Sequence, residues 1–409
     1  MRRRWSAVAG GLPRVFWYLW SITLIGNIAS FVLIFITFYL HSERGFAPAQ
    51  IGLALALAGG GCVVGSFGGG VLADRWGRRR TAVAGYLVSS AALAGAGLST
   101  SLVSIMTFLV VMGAGTVASG IAGSAILSDV VAVEDRPRAY SINYWAINVG
   151  TSIAALLAPV AMKAGFAVIF VVDAIGFLVL AAFMWFLVPD TRADSPVEQV
   201  APAGAVRFIL RDRQFLLFVA LFFGFQLIFK QSNAGLPLAV QRDGLDAQAY
   251  GWIYAINTLL IVVGQLFLPR LIQGHTYSRV LALGSLLVGI GFGLTGVADV
   301  IWFYALTVAI WTLGEMAYFA VLDSSLAGMA PGSLRGRYFG FFTAASQTSR
   351  LVAPLLSGYL LQYHGQALWI GCFVLGVLLA ASYLLSAPAR EHRITHAAAT
   401  AQKEVQPSA

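Results

Sequence analysis

Charge is what this 409-residue sequence has least of: Asp, Glu, Lys and Arg make up 11% of it, while 59% of its residues are hydrophobic. A soluble domain is about a quarter charged, so a fold surrounded by water is excluded and a polytopic membrane protein is implied. Cysteine is almost missing. The two present, Cys62 and Cys372, lie inside apolar runs, which argues against a disulfide framework or a thiolate metal cluster. Histidine is nearly as scarce: His41, His275, His364, His392 and His396 sit at the ends of apolar runs, in loops or in the tail. None is spaced with Cys, Asp or Glu as a metal site requires. The 44 glycines include no Gly-x-x-x-x-Gly-Lys-Ser/Thr run to cradle phosphates. With no catalytic arrangement in view, the chain is expected to be no enzyme and to need no cofactor. Its energy must come from an ion gradient or from the substrate's own gradient.

Acids are also outnumbered, 17 against 26 Lys and Arg. A net charge of +9 would point a soluble chain towards nucleic acid. Here the basic residues fall in short loops between apolar runs, so no nucleic-acid partner is expected and they mark the cytoplasmic side of a membrane.

What the sequence does have is apolar runs long enough, at about twenty residues, to cross a bilayer core of roughly 30 Å. Spans are expected near 15–40, 49–73, 81–99, 102–128, 139–162 and 166–188, then near 214–239, 248–269, 279–298, 300–326, 337–362 and 366–387. The first run far exceeds a signal-peptide core and is read as a retained helix. The fold expected is all-α and integral to the membrane, with twelve transmembrane helices in two six-helix bundles. The bundles cover residues 1–188 and 214–388, joined by a polar linker at 189–213 and followed by a tail at 389–409. With both termini in the cytoplasm, the inside segments hold twenty-one Lys and Arg residues and the outside segments three, which sets the orientation. Gly165 against Gly365, and Gly176 against Gly376, indicate a parallel repeat of the two halves.

Between the second and third runs lies a burst of charge, Gly70-Val-Leu-Ala-Asp74-Arg75-Trp-Gly77-Arg78-Arg79-Arg80. Gly70 is expected to let two helices approach closely and Gly77 to supply the freedom for a tight reversal. Asp74 is expected to cap a helix start or pair with an arginine, and Arg75, Arg78, Arg79 and Arg80 to hold the turn at the anionic leaflet. The stretch resembles the loop 2-3 signature of the major facilitator superfamily, Gly-x-Leu-Ala-Asp-Arg-x-Gly-Arg-Arg, at every position. The resemblance implies the major facilitator fold and a conformational switch at Gly70, Asp74, Arg75, Gly77, Arg78 and Arg79. Leu268-Pro-Arg-Leu-Ile-Gln-Gly274-His275 reads as its degenerate twin, without the acid. Other family motifs are weakened or missing: the fourth run has no arginine near Gly113 and Gly115, and the fifth keeps only Gly150, Ala154, Ala158 and Pro159 of a glycine series. The branch most resembled is that of bacterial drug/proton antiporters.

Ionisable residues at membrane depth cost about 2.5–3.5 kcal/mol each on insertion scales, and four stand out: Asp173, Lys230, Glu315 and Arg350. Asp173 is expected near the outer end of its span, within reach of water. Gln226, Lys230 and Asn233 recur at i, i+4 and i+7, as do Trp311, Glu315 and Tyr318, with Thr343, Gln347 and Arg350 on the eleventh span, so polar stripes facing water or protein are expected. The resemblance implies that the first, fourth, seventh and tenth spans line a central cavity. Lys230 and Glu315 then form either a functional charge pair or a structural one. In the first half, Trp20, Thr23, Asn27 and Ser30, with Asn143, Tyr144, Asn148 and Thr151, suit hydrogen bonding and stacking with an amphipathic ligand.

Three functions follow: proton-coupled efflux of small amphipathic compounds of the drug or antibiotic type, proton-coupled import of a metabolite, and a non-transporting receptor on the same fold. Partners are a small-molecule substrate, the proton and the lipid bilayer, with a functional monomer in the bacterial inner membrane. Glu315 is the proton-coupling candidate, with Lys230 and Arg350 beside it.

Overall fold

The computed structural model describes residues 11–132, 135–191, 205–264, 267–330 and 334–394. Among these residues every regular element is helical. The first half comprises α1 (Arg14–Ile28), α2 (Phe31–Phe38) continued by a π turn, α3 (Pro48–Trp76), α4 (Arg78–Leu98), α5 (Leu102–Val130), α6 (Arg136–Lys163) and α7 (Phe166–Leu187). The second comprises α8 (Ala205–Arg211), α9 (Arg213–Phe229), α10 (Gly235–Arg242), α11 (Ala247–Gly264), α12 (Leu268–Ile272), α13 (Tyr277–Leu294), α14 (Ile301–Met329), α15 (Arg335–Tyr363) and α16 (Gly365–Leu385).

Eleven stretches are long and apolar enough to cross a membrane, with α1 and α2 counting as one and α9 and α10 as another. The twelfth expected span, α15, has the length at 29 residues but carries Arg350 amid Thr343, Gln347 and Thr348. Thr343, Thr348 and Arg350 are exposed and Gln347 is half-buried, while Ser346 on the same helix accepts a hydrogen bond from Gln226 of α9, the kind of contact that holds a polar helix in a bundle.

Contacts divide the chain into two compact units, Met1–Val197 with Asp246–Thr258, and Glu198–Leu245 with Leu259–Ala409. The division differs from the covalent one at α11, whose first two thirds, as far as Thr258, join the first unit. Tyr250, 1% exposed, packs its ring against Phe35 and Phe38 with centroids 6.1 and 5.2 Å apart.

Helices approach closely where side chains are small, since in lipid the gain comes from dispersion contact rather than water release. Along α3 this seam is Gly61, Gly65 and Gly69 against Val110, Ala114 and Ala118 of α5. A Cβ at Gly69 would lie 2.6 Å from the Ala118 Cα, whereas one at Gly70 would meet nothing within 4 Å. The close approach expected of Gly70 therefore belongs to its neighbour, because the i, i+4, i+8 spacing puts 61, 65 and 69 on one face.

Two expected spans are broken. The first bends at Ala29–Ser30, where Ser30 and Asn27 turn their side chains onto nearby carbonyls, Ser30 Oγ to Asn27 O at 2.7 Å and Asn27 Nδ2 to Thr23 O at 2.8 Å. The seventh stops at Phe229, passes through a 3-10 turn at Lys230–Ser232, and restarts at Gly235. Pro237 accounts for this: it has no N–H to give the carbonyl of Asn233, and its ring would clash there.

Candidate functional site

The arginine-rich turn is tight because Gly77 takes φ +107, a backbone conformation that L side chains rarely adopt. Gly274, at the end of the degenerate twin, has φ +82. Asp74 lies in the exposed last turn of α3, not at a helix start. An acid there is opposed by the helix dipole, while Arg75 beside it is favoured. The acid that pairs with Arg78 is Asp129, at the end of α5, and Arg78 also donates to the Ala125 carbonyl at 3.2 Å. Arg79 lies 4.8 Å from the Trp185 ring centroid and donates to the carbonyls of Trp185 and Val188 at 3.4 Å. The turn thus places two cations at the C-terminal ends of α5 and α7, where unpaired carbonyls accumulate.

In the second unit Lys230 lies at the helix break, with its Nζ 5.2 Å from the Phe229 ring centroid. It interacts electrostatically with both Arg350, of like charge, and Glu315, of opposite charge. The structure therefore gathers α9, α14 and α15 around one acid and two bases. The expected i, i+4, i+7 stripe of Gln226, Lys230 and Asn233 does not exist as a helix face, because the helix ends inside it. Gln226 is buried and donates to Ser346 Oγ at 3.0 Å, whereas Asn233 is exposed.

Nor does the stripe on α14 hold together. Tyr318 is wholly buried, stacked on Phe225 at 3.5 Å and hydrogen-bonded through its hydroxyl to that of Tyr383 at 2.7 Å. It is a core residue. Trp311, 1% exposed, stacks on Phe292 at 5.3 Å. Its Nε1, together with Oε1 of Gln226 and Oε1 of Gln347, is buried without a hydrogen-bond partner in the protein. Each such atom costs about 1–3 kcal/mol, and native folds leave few of them.

The polar face of the first unit is better satisfied. Trp20 Nε1 donates to Ile142 O at 3.1 Å, and its ring stacks on Trp145 at 6.2 Å. Thr23 Oγ1 donates to Leu19 O at 3.1 Å, Thr151 Oγ1 to Asn27 Oδ1 at 3.4 Å, and Asn148 Nδ2 to Tyr144 O at 3.1 Å. Asn143 keeps a buried Oδ1 without a partner.

Three acids do more than the sequence suggested. Asp129 was signalled only as a lone acid ending an apolar run. Asp173 is 2% exposed rather than water-accessible, and its carboxylate accepts the N–H groups of Phe31 at 3.1 Å and Val32 at 2.7 Å. It caps the helix that restarts after the first-span break. Asp212 caps α9 by accepting Phe215 N–H at 3.1 Å. It also accepts two bonds from Arg393, at 2.9 and 2.7 Å, and one from the Tyr338 hydroxyl at 2.7 Å. Burial alone would raise its pKa, but these donors outweigh it and hold the carboxyl below its ordinary value. Among the described residues no group of three or more His, Cys, Asp or Glu is placed to hold a metal.

The sequence matches the Major Facilitator Superfamily over residues 19–273 and 231–408. It is 24% identical over 366 residues to the MFS-type transporter YttB of Bacillus subtilis, covering 87% of this chain and 91% of that protein. To the multidrug resistance protein MdtH of Escherichia coli K12 it is 24% identical over 326 residues, covering 78% and 79%. The nucleoside transporter NupG superposes with a TM-score of 0.77 at 14% identity, covering 91% of this chain and 99% of that one. A peptide transporter of the POT family gives 0.75 at 16% identity, covering 96% and 99%. Similarity at that identity speaks to fold alone.

Proposed function

The chain belongs to the Major Facilitator Superfamily, and from that premise we propose that it is a proton-coupled exporter of small amphipathic molecules working by alternating access. The observation that carries this reading is the group at the broken seventh span, Lys230 in electrostatic contact with Glu315 and Arg350, in the unit where Trp311, Gln226 and Gln347 keep buried polar atoms unpartnered. Unpartnered groups beside aromatic walls fit a ligand that stacks and accepts or donates a few hydrogen bonds. A carboxylate at membrane depth can gain and lose a proton as its access to water changes. The likeness to MdtH favours export over import. The excess of Lys and Arg in alternate loops supports cytoplasmic termini, and hence a cytoplasmic arginine-rich turn. The chain is read as a functional monomer in a bacterial inner membrane.

In this mechanism Glu315 carries the proton, in the same charged group as Lys230 and Arg350. Entry of substrate or proton then redistributes the same charges. Asp74 and the arginines near it act as the switch. The test is transport of lipophilic cations and antibiotics in vesicles under a pH gradient of either sign, beside counterflow, which needs no proton gradient. Glu315→Gln is expected to lose driven transport and keep counterflow; driven transport at the native rate in this variant excludes the role.

A further inference from the structure

Outside the group just described, the first unit holds an open groove of about 380 Å³ lined by Trp76, Arg80, Val83, Ala84, Leu87 and Trp185. It is built from the end of α3, the first three turns of α4 and the end of α7. We infer that this groove binds an anionic phospholipid, with the phosphate at Arg80, the glycerol region between Trp76 and Trp185, and an acyl chain along Val83, Ala84 and Leu87. The inference rests on the proposed topology for the leaflet that supplies the lipid, but not for the chemistry of the groove.

Three observations point to this occupant. The first is charge. Arg78, Arg79 and Arg80 stand together in the first turn of α4 with no acid in that turn, an arrangement the helix dipole opposes unless anions compensate. Arg78 has Asp129, and Arg79 has the carbonyls of Trp185 and Val188 and the Trp185 ring. Arg80, exposed, has no ion pair among the described residues. The second is the pair of indoles at the mouth, Trp76 and Trp185, which are 48% and 45% exposed. Indoles are enriched at the level of the lipid headgroups. The third is the wall. Leu87, 46% exposed, lies about 10 Å along α4 from Arg80 at 1.5 Å per residue, so the groove runs from a cation to bare hydrocarbon over the distance that separates a lipid phosphate from its upper acyl chain. A free phosphate would use only the first of these features, and an apolar substrate only the third.

The test uses the full-length protein in nanodiscs, where both faces are accessible and orientation does not matter, with tryptophan quenching by brominated phosphatidylglycerol or brominated phosphatidylcholine. Phosphatidylglycerol is expected to half-saturate at an about fivefold lower mole fraction, the gain due to one basic residue at an anionic surface. Arg80→Gln is expected to remove that preference, Arg80→Lys to keep most of it, and Trp76→Phe with Trp185→Phe to remove the part of the quenching that distinguishes the two lipids, leaving the quenching of the other exposed tryptophans, such as Trp302 at 81%. Equal quenching by the two lipids, or a preference unchanged in Arg80→Gln, overturns the site. Competition by inorganic phosphate as effective as that by the lipid overturns the assignment to a phospholipid. Failure of the transport reading would leave all of these readouts unmoved.

Discussion

Asp173 shows how a single residue at membrane depth can be structural rather than a coupling group. A break in a helix frees N–H groups that cost several kcal/mol in hydrocarbon, and its two carboxylate oxygens take two of them. Asp173→Asn keeps one acceptor and sets an amide donor against the other N–H, while Asp173→Ala leaves both unpaired. With hydrogen bonds to charged groups contributing about 1.5–3 kcal/mol each, the unfolding midpoint of the purified protein should fall for Asn and further for Ala. An Ala variant as stable as the native protein refutes the cap. At Gly77 the constraint is the backbone. Its φ of +107, with the Asp190 carboxylate 3.4 Å from where a Cβ would stand, predicts that Gly77→Leu inserts normally yet slows transport in vesicles severalfold. Native rates at native abundance remove the turn from the mechanism.

At the scale of elements, the spans were legible because apolar length is itself the signal, and the arginine-rich turn because its spacing is unusual. The breaks were not. In the first span the residue that stabilises the restart, Asp173, is 142 positions away from Phe31, and no local pattern announces it. In the seventh, Pro237 stood in plain view, but the span 214–239 was read as continuous across it and Gln226, Lys230 and Asn233 as one helix face. Tyr318 was read into a polar face because its period fitted, although a tyrosine can satisfy its hydroxyl in the core, as it does with Tyr383. The tail was equally hidden. Arg393 grips Asp212, while Glu391 accepts from Ser278 N at 2.8 Å and Arg390 donates to Ser278 Oγ at 3.1 Å, so residues 390–393 tie the ends of α9 and α13 together. The depressed pKa of Asp212 makes this latch pH-dependent. A carboxyl lowered by folding adds stability above its unfolded pKa of about 3.9, and that stability is lost as pH falls through the folded value. Arg393→Ala should therefore lower the unfolding midpoint at pH 7, with the gap to the native protein closing in strongly acidic buffer. A gap that stays constant with pH excludes the ion pair as its cause.

For the whole molecule, the question is whether charges on three helices act as one device. Lys230 lies within the electrostatic reach of both Glu315 and Arg350, so neutralising one should alter what the others do. Were Lys230 and Glu315 independent sites, their effects on substrate affinity would add to within about 0.3–0.5 kcal/mol. As charges that act on one another, Lys230 and Glu315, each replaced by Gln, should give a double-mutant coupling of at least about 0.5 kcal/mol. The sign carries further meaning. Loss of Glu315 leaves Lys230 facing only the like charge of Arg350, a costly arrangement in a poorly hydrated interior. Removing Lys230 as well should then recover part of the affinity lost in Glu315→Gln. Recovery in binding with no return of pH-driven transport would separate the two roles, the bases setting the electrostatic balance and the acid carrying the proton. Strict additivity would mean that the gathered charges do not act as a unit.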